Sequence, residues 1–144
     1  MRIVPLDDIP LFNPDREQEN ISAVKGLKSH LSDADGLIIA SPEYAHGISG
    51  VMKNALDWLV SGEEFVNLPI MLINTSPRAE HAQKMLREIV TTMSGQIIEE
   101  SCVSIGLLGS QLDAQGIIQC QHLSNTLTSS LEAFYSGIAN DVSY

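Results

Sequence analysis

Apolar residues recur along the chain in two alternating patterns, one with helical spacing and one with short uninterrupted runs. Helical spacing of apolar positions predicts amphipathic helices over Gln18 to Ser32, Ser49 to Val60, Ala79 to Ser94 and Leu112 to Gly137. Apolar runs without polar alternation suit strands covered on both faces of a parallel sheet, and they occur at Gly36 to Ser41, Pro69 to Thr75 and Ile97 to Ile105.

The order of these elements is helix, strand, helix, strand, helix, strand, helix, which is typical of α/β folds. Right-handed crossovers between parallel strands place helices on both faces of the sheet. We therefore expect a three-layer sandwich with a parallel sheet. The acidic pair Glu99 and Glu100 in the third strand indicates that one end of that strand reaches solvent.

Length and composition narrow the class of protein further. The 144 residues, 44% of them hydrophobic, predict a single domain over residues 1–144. The 18 acidic residues outnumber the 8 Lys and Arg and give a net charge of −10, which disfavours a nucleic-acid partner. The apolar runs are shorter than the ~20 residues of a membrane span, and Met1 opens no signal segment. These features predict a soluble, cytoplasmic protein without a membrane partner.

Two cysteines and two loops hold the residues with chemical potential. Cys102 and Cys120 lack metal-ligand spacing, so they are interpreted as buried thiols rather than as part of a disulfide framework or zinc site. Ligands of open parallel sheets bind at the carboxyl ends of the strands, where the loops Ser41–Gly50 and Thr75–Ala79 are expected. From spacing alone, the first loop is equally an ordinary strand-to-helix connection in which Tyr44 packs over the sheet edge.

The segment from Ser41 to Trp58, SPEYAHGISGVMKNALDW, resembles the signature of the NAD(P)H-dependent FMN reductase family, the flavodoxin-like group of quinone, chromate and azo-dye reductases. The resemblance extends more loosely to Leu11–Pro14 and to Asn74–Arg78. It implies a five-stranded parallel sheet, bound FMN, NADPH or NADH as co-substrate, a quinone or similar small-molecule electron acceptor, and a homodimer or homotetramer. No metal is implied.

The resemblance also implies which residues hold the flavin. The first loop would border the isoalloxazine ring with the main chain of Ser41, Pro42, Glu43, Tyr44, Ala45, His46 and Gly47. Backbone N–H groups in such a loop stabilise the negative charge of reduced flavin. The second loop would contribute Ser76, Pro77 and Arg78, with Arg78 equally interpretable as a solvated arginine.

No side chain is predicted to be catalytic, because hydride transfer between nicotinamide and flavin needs no acid. His46 is therefore better interpreted as a surface histidine.

Lys53 and Asp57 are predicted to pair on the surface of the second helix. Trp58 is predicted to pack, and Ser49 to cap that helix. The apolar residues around the helix predict that it forms a core or homodimer interface, and they are Val51, Met52, Leu56, Leu59 and Val60.

The first residues of the chain depart from the family pattern. Members begin with a strand and a Gly-Ser-x-Arg loop that holds the FMN phosphate at a helix N-terminus, and nothing in Met1 to Ile21 resembles that unit. The expectation is an N-terminally shortened flavodoxin-like domain that lacks the first strand, phosphate loop, first helix and most of the second strand. Its strand Gly36 to Ser41 would then lie at an open edge, and FMN would bind weakly.

Three hypotheses follow from this departure. The first is an NAD(P)H-dependent FMN reductase that passes electrons to a quinone or similar acceptor. The alternative is a catalytically impaired remnant that acts as an oligomerisation or interaction protein. The third is that the protein begins upstream of Met1 and includes the missing unit.

Overall fold

The computed structural model describes residues 1–76, 80–107 and 109–141. The strands are β1 (Leu37–Ala40), β2 (Glu43–Tyr44), β3 (Gly47–Ile48), β4 (Pro69–Asn74), β5 (Gln96–Ile97) and β6 (Val103–Ser104). The α-helices are α1 (Ser22–Ser32), α2 (Gly50–Leu59), α3 (Glu80–Thr92), α4 (Ala114–Gln119) and α5 (Gln121–Asp141). Short 3-10 helices span Pro14–Arg16 and Glu99–Ser101.

The main sheet is built around β4. Strand β1 pairs with it in parallel, in a register that places Leu37 opposite Ile70 and Ala40 opposite Ile73. Strands β5 and β6 also pair with β4 in parallel. The predicted parallel sheet is therefore confirmed, and its described part has four strands.

The burial of β4 shows why the sheet needs layers on both faces. Side chains of successive strand residues point to opposite faces, yet Ile70, Met71 and Leu72 are each at most 1% exposed. Both faces of the central strand are therefore covered, as the uninterrupted apolar run predicted. Helix α5 packs against β4 and β6, and α3 packs against β5.

The strand predicted over Ile97 to Ile105 is wrong as a continuous element. Its two ends form β5 and β6, while Glu99–Ser101 turns as a 3-10 helix between them. The buried hydroxyl of Ser101 donates to the Ile98 carbonyl at 2.7 Å, and the Glu99 carboxylate accepts from Arg87 Nη1 at 2.6 Å. The Ser101 bond gives the backbone a local alternative to the ladder. The hydrogen bond to Glu99 also raises the pKa of Arg87.

The last predicted helix also differs, because it is divided at Cys120. Asp113 caps α4 by accepting from the Gly116 amide at 2.7 Å, and Cys120 has an extended backbone before α5 begins. Leu112 precedes the cap and lies outside the helix. The first predicted helix begins later than expected, at Ser22.

Helix α2 is held against a segment near the start of the chain. The Asn54 side chain accepts from the Phe12 amide at 2.8 Å and donates to the Pro10 carbonyl at 3.0 Å and the Ile9 carbonyl at 3.4 Å. Trp58 Nε1 donates to the same Pro10 carbonyl at 2.8 Å, and the Phe12 ring packs edge-on against Trp58. We call residues 9–12 the N-terminal strap.

Two further predictions concern membranes and cysteines. Among the helices of the described residues, none combines the length and hydropathy required to span a membrane. Cys102 and Cys120 are both free, but each is only partly buried, so the interpretation of both as buried thiols is wrong. The described residues contain no cluster of three or more His, Cys, Asp or Glu side chains that could hold a metal ion.

Candidate functional site

Three loops leave the sheet at one edge, because the strands that precede them are parallel and in register. Ala40 pairs with Ile73, and Ile73 with Val103, so the chain leaves the sheet after β1, β4 and β6 at neighbouring positions. After β6, the Ile105 amide donates to the Asn74 carbonyl at 2.8 Å. Ligands of open parallel sheets bind at this end of the strands, and we call it the ligand-binding edge of the sheet.

The loop after β1 is a β-hairpin, which the sequence did not predict. Strands β2 and β3 pair antiparallel, with Tyr44 opposite Gly47, so Ala45 and His46 form a two-residue turn. Both have positive φ, 48° and 61°, the pattern of a type I′ turn that matches the twist of hairpin strands. The signal was hidden because neither turn residue is glycine or asparagine.

The hairpin turn stores backbone strain and presents free donors. Positive φ costs a residue with a Cβ roughly 1–2 kcal/mol, and such strain is maintained where surrounding contacts determine the conformation. Neither the Ala45 nor the His46 amide donates a hydrogen bond to another described residue. The turn therefore presents two adjacent, exposed N–H groups in the loop that follows β1.

Glu43 attaches the hairpin to α3. Its Oε2 accepts from the backbone amide of Ala82 at 2.9 Å, in the first turn of α3, where helix N–H groups have no partner within the helix. The predicted site residue thus positions the loop, and its carboxylate meets the positive end of the helix dipole.

The remaining residues of the first loop divide into buried and exposed positions. Ser41 is 1% exposed, whereas Tyr44 is 65% exposed. Tyr44 therefore projects to solvent and does not pack over the sheet edge, which removes the interpretation of this loop as an ordinary connection closed by that ring. Pro42 is exposed beside Ser41.

The second predicted loop is only partly described. Asn74 is 9% exposed, and its Oδ1 accepts from the Ser76 amide at 3.0 Å. Ser76 therefore lies two residues beyond β4, and its amide is held by the last residue of that strand. Pro77 and Arg78 lie outside the described residues.

A pair of histidines joins the hairpin to α3, and sequence reasoning identified only one of them. The His46 and His81 rings stack with centroids 4.3 Å apart and planes inclined by 10°. His81 lies in the first turn of α3. No sequence pattern links it to His46, because the contact depends on how the hairpin folds back.

The motif residues of α2 have structural roles. Lys53 and Asp57 pair as predicted, at 2.5 Å on a partly exposed surface. Ser49 caps the helix by accepting from the Met52 amide at 3.2 Å, also as predicted. Trp58 is 2% exposed and packs in the core, and with Asn54 it holds the N-terminal strap.

A family model described as NADPH-dependent FMN reductase matches residues 1–108. The chain belongs to this family. The resemblance of the sequence to this family is therefore confirmed.

Individual members of the family match different lengths of the chain. An NADPH azoreductase from Bacillus sp. strain OY1-2 is 32% identical over 90 residues, which cover 62% of this chain and 50% of that protein. A quinone reductase from Escherichia coli strain K12 is 29% identical over 135 residues, which cover 88% of this chain and 72% of that protein. The chain thus spans about half to three quarters of the length of these relatives.

Structural similarity agrees with the family assignment. The flavoenzyme NAD(P)H:(acceptor) oxidoreductase FerB from Paracoccus denitrificans superposes with a TM-score of 0.76, over 96% of this chain and 80% of that protein. At 22% identity this similarity concerns the fold. It confirms the predicted flavodoxin-like α/β class.

Proposed function

We propose that this chain supplies the isoalloxazine-binding side of an NAD(P)H-dependent FMN reductase that passes electrons to a quinone or similar small-molecule acceptor. The observation that carries the proposal is the pair of unpartnered amides at Ala45 and His46 on the ligand-binding edge. The names of the azoreductase and quinone reductase relatives support the class of acceptor. A cytoplasmic location remains a prediction.

The residues present fit the ring of FMN. The donors of the hairpin turn suit the pyrimidine edge, where reduced flavin gathers negative charge, and backbone donors stabilise such charge without a titrating group. The exposed Tyr44 ring offers an aromatic surface at the same loop. A bound FMN would supply hydride acceptance from NAD(P)H and electron delivery to the acceptor. The proposed cofactor-binding residues are Ser41 to Gly47 together with Ser76. Contact of Pro77 and Arg78 with the cofactor remains a prediction from the sequence.

The chain contributes to the proposed reaction by holding the hairpin in a fixed orientation. The Glu43 carboxylate fixes one strand of the hairpin on the Ala82 amide, and the ladder between Tyr44 and Gly47 closes the turn. Donors that are oriented before the charge develops cost no reorganisation during reaction. We therefore expect the hairpin to orient the flavin and to act without proton transfer from a side chain.

We expect the 144-residue chain to bind FMN and riboflavin with similar affinity, within about threefold, and only in the micromolar range or weaker. The chain holds the ring-side loops but no Gly-Ser-x-Arg sequence. Each charge-assisted hydrogen bond to a phosphate is worth roughly 1.5–3 kcal/mol, and 1.4 kcal/mol is about tenfold in affinity. Titration by flavin fluorescence with both ligands measures the difference.

The two flavins are matched controls because they share the ring and differ in the phosphate. FMN that binds at least about 30-fold more tightly than riboflavin, a difference of about 2 kcal/mol, would show a phosphate site on this chain and contradict the ring-side assignment. Binding of neither flavin would overturn the proposed function and favour the interaction protein.

We also propose that the chain forms a homodimer or homotetramer through α2. Leu56 and Leu59 are buried in the chain's own core, but Val51 and Val60 remain 56% exposed. Val60 borders a groove of about 180 Å³ between α2 and α3, whose lining includes Ile89 and Met93. Val60→Asp should therefore convert the oligomer to a monomer in light scattering at micromolar concentration, since a buried unpaired charge is costly.

A matched control lies away from this helix. Val66 is 52% exposed in the turn region before β4, so Val66→Asp should leave the oligomer unchanged. A wild-type chain that is already monomeric, or a Val66→Asp variant that dissociates while Val60→Asp does not, would contradict the use of α2.

A further inference from the structure

The first turn of α3 holds the strained hairpin at two points. Ala82 donates its amide to Glu43 Oε2 at 2.9 Å, on the first strand of the hairpin. His81, the preceding residue, stacks its ring on His46 at the tip of the hairpin, with ring centroids 4.3 Å apart. One contact holds the first strand of the hairpin and the other holds its turn. Together they restrain the orientation of the turn relative to α3.

The turn needs such restraint because its own sequence does not favour it. Type I′ turns prefer Asn-Gly or Gly-Gly at the central positions, whereas this one contains Ala45 and His46 with φ of 48° and 61°. Only two residue pairs, Glu43 with Ile48 and Tyr44 with Gly47, form the ladder behind it. A short hairpin with an unfavourable turn is only marginally stable by itself.

We propose that His81 is a positioning residue for flavin binding, which acts by stacking on His46 and so keeps the Ala45 and His46 amides directed at the ligand-binding edge. This inference rests on the proposed function for the role of the two amides. His81 is not assigned a contact with the flavin. Its effect comes through the fraction of molecules in which the turn is correctly oriented, since apparent affinity falls in proportion to that fraction.

The stacking contact sets the size of the effect. Replacing His81 by alanine removes the ring but favours the helix, because alanine has the higher helix propensity. We expect His81→Ala to weaken flavin binding about two- to tenfold, which is about 0.4 to 1.4 kcal/mol at 1.4 kcal/mol per decade. Both histidines are exposed, so the midpoint of global unfolding should change little.

Rescue by a flat ring distinguishes positioning from a general effect on α3. His81→Phe retains a stacking face and should bind flavin within about twofold of wild type. Lys84→Ala, at an exposed position on the same helix, should bind like wild type. FMN titration of the four proteins by fluorescence provides the comparison.

A second readout needs no flavin. In the free protein, the ¹⁵N relaxation order parameters of the Ala45 and His46 amides, compared with that of Lys84, should report the order of the turn. We expect the order parameters of the hairpin to fall relative to that of the helix in His81→Ala and to return towards wild type in His81→Phe.

The outcomes separate the two proposals. If wild type binds flavin and His81→Ala binds equally well, the positioning role is wrong and the proposed function stands. If wild type binds no flavin, the proposed function fails and the role of His81 in flavin binding fails with it, while lowered order parameters in the hairpin would retain only the restraint of the turn. Equal order parameters in wild type and His81→Ala overturn that restraint as well. Failure of His81→Phe to rescue would also contradict the stacking role.

Discussion

Replacing Asn54 by alanine should lower the free energy of unfolding by about 2–4 kcal/mol. The Asn54 side chain makes hydrogen bonds to the Phe12 amide and to the Pro10 and Ile9 carbonyls, at 2.8, 3.0 and 3.4 Å. Each such bond contributes roughly 0.5–1.5 kcal/mol, and a buried group left without a partner costs more. Urea unfolding followed by circular dichroism measures the loss. Circular dichroism does not depend on tryptophan fluorescence, so it also serves for variants of Trp58, the chain's single tryptophan.

Two further variants test the origin of that loss. Asp57→Ala, on the same helix, removes only the partly exposed pair with Lys53 and should cost less than about 0.5 kcal/mol. Trp58→Phe retains a ring for Phe12 but removes the second donor to Pro10. Because they share that acceptor, Asn54→Ala and Trp58→Phe should be non-additive. An Asn54→Ala variant as stable as Asp57→Ala would contradict this account of the strap.

Substituting alanine for two helical glycines should change stability in opposite directions. Alanine in place of an unconstrained helical glycine ordinarily stabilises by about 0.5–1 kcal/mol. At Gly26 in α1, an added Cβ meets nothing within 4 Å, so Gly26→Ala should give that gain. At Gly137 in α5, the added Cβ would lie 2.7 Å from Ile98 Cγ2, and overpacking costs roughly 1–3 kcal/mol. The net expectation for Gly137→Ala is a loss of about 1–2 kcal/mol.

The clash can be tested by removing its other partner. The Ile98 Cγ2 atom lies on a branched and therefore stiff side chain, which cannot rotate away as a long chain can. In an Ile98→Ala background, Gly137→Ala should no longer destabilise the protein. Thermal unfolding of the single and double variants gives the comparison. Equal gains for Gly26→Ala and Gly137→Ala would show that α5 does not approach Ile98 closely.

The features that the sequence predicted correctly are fixed either by burial or by local spacing along a helix. The run from Pro69 to Ile73 is apolar because both faces of β4 are covered, so its pattern required little context. The cap at Ser49 and the pair of Lys53 with Asp57 are likewise local, since three- and four-residue spacing places these groups together on a helix.

The features that sequence missed depend on contacts between distant segments. The hairpin has two-residue strands, too short for a period-two pattern, and its turn lacks glycine at the positive-φ positions. His81 became part of the candidate site only because α3 packs against that hairpin. The interruption between β5 and β6 depends on a buried serine bond that no hydrophobic pattern encodes.

The N-terminal strap has a consequence for how the molecule opens. Its hydrogen bonds join residues 42 to 48 positions apart, so closing that loop costs chain entropy before any bond forms. The strap is attached by side-chain hydrogen bonds and by the packing of Phe12 on Trp58, not by the ladder of the sheet. This places it among the segments expected to detach in partial unfolding. Its detachment uncovers the indole of Trp58, now 2% exposed. The protein's single tryptophan is therefore an intrinsic fluorescent reporter of this partial opening, distinct from the melting of the sheet.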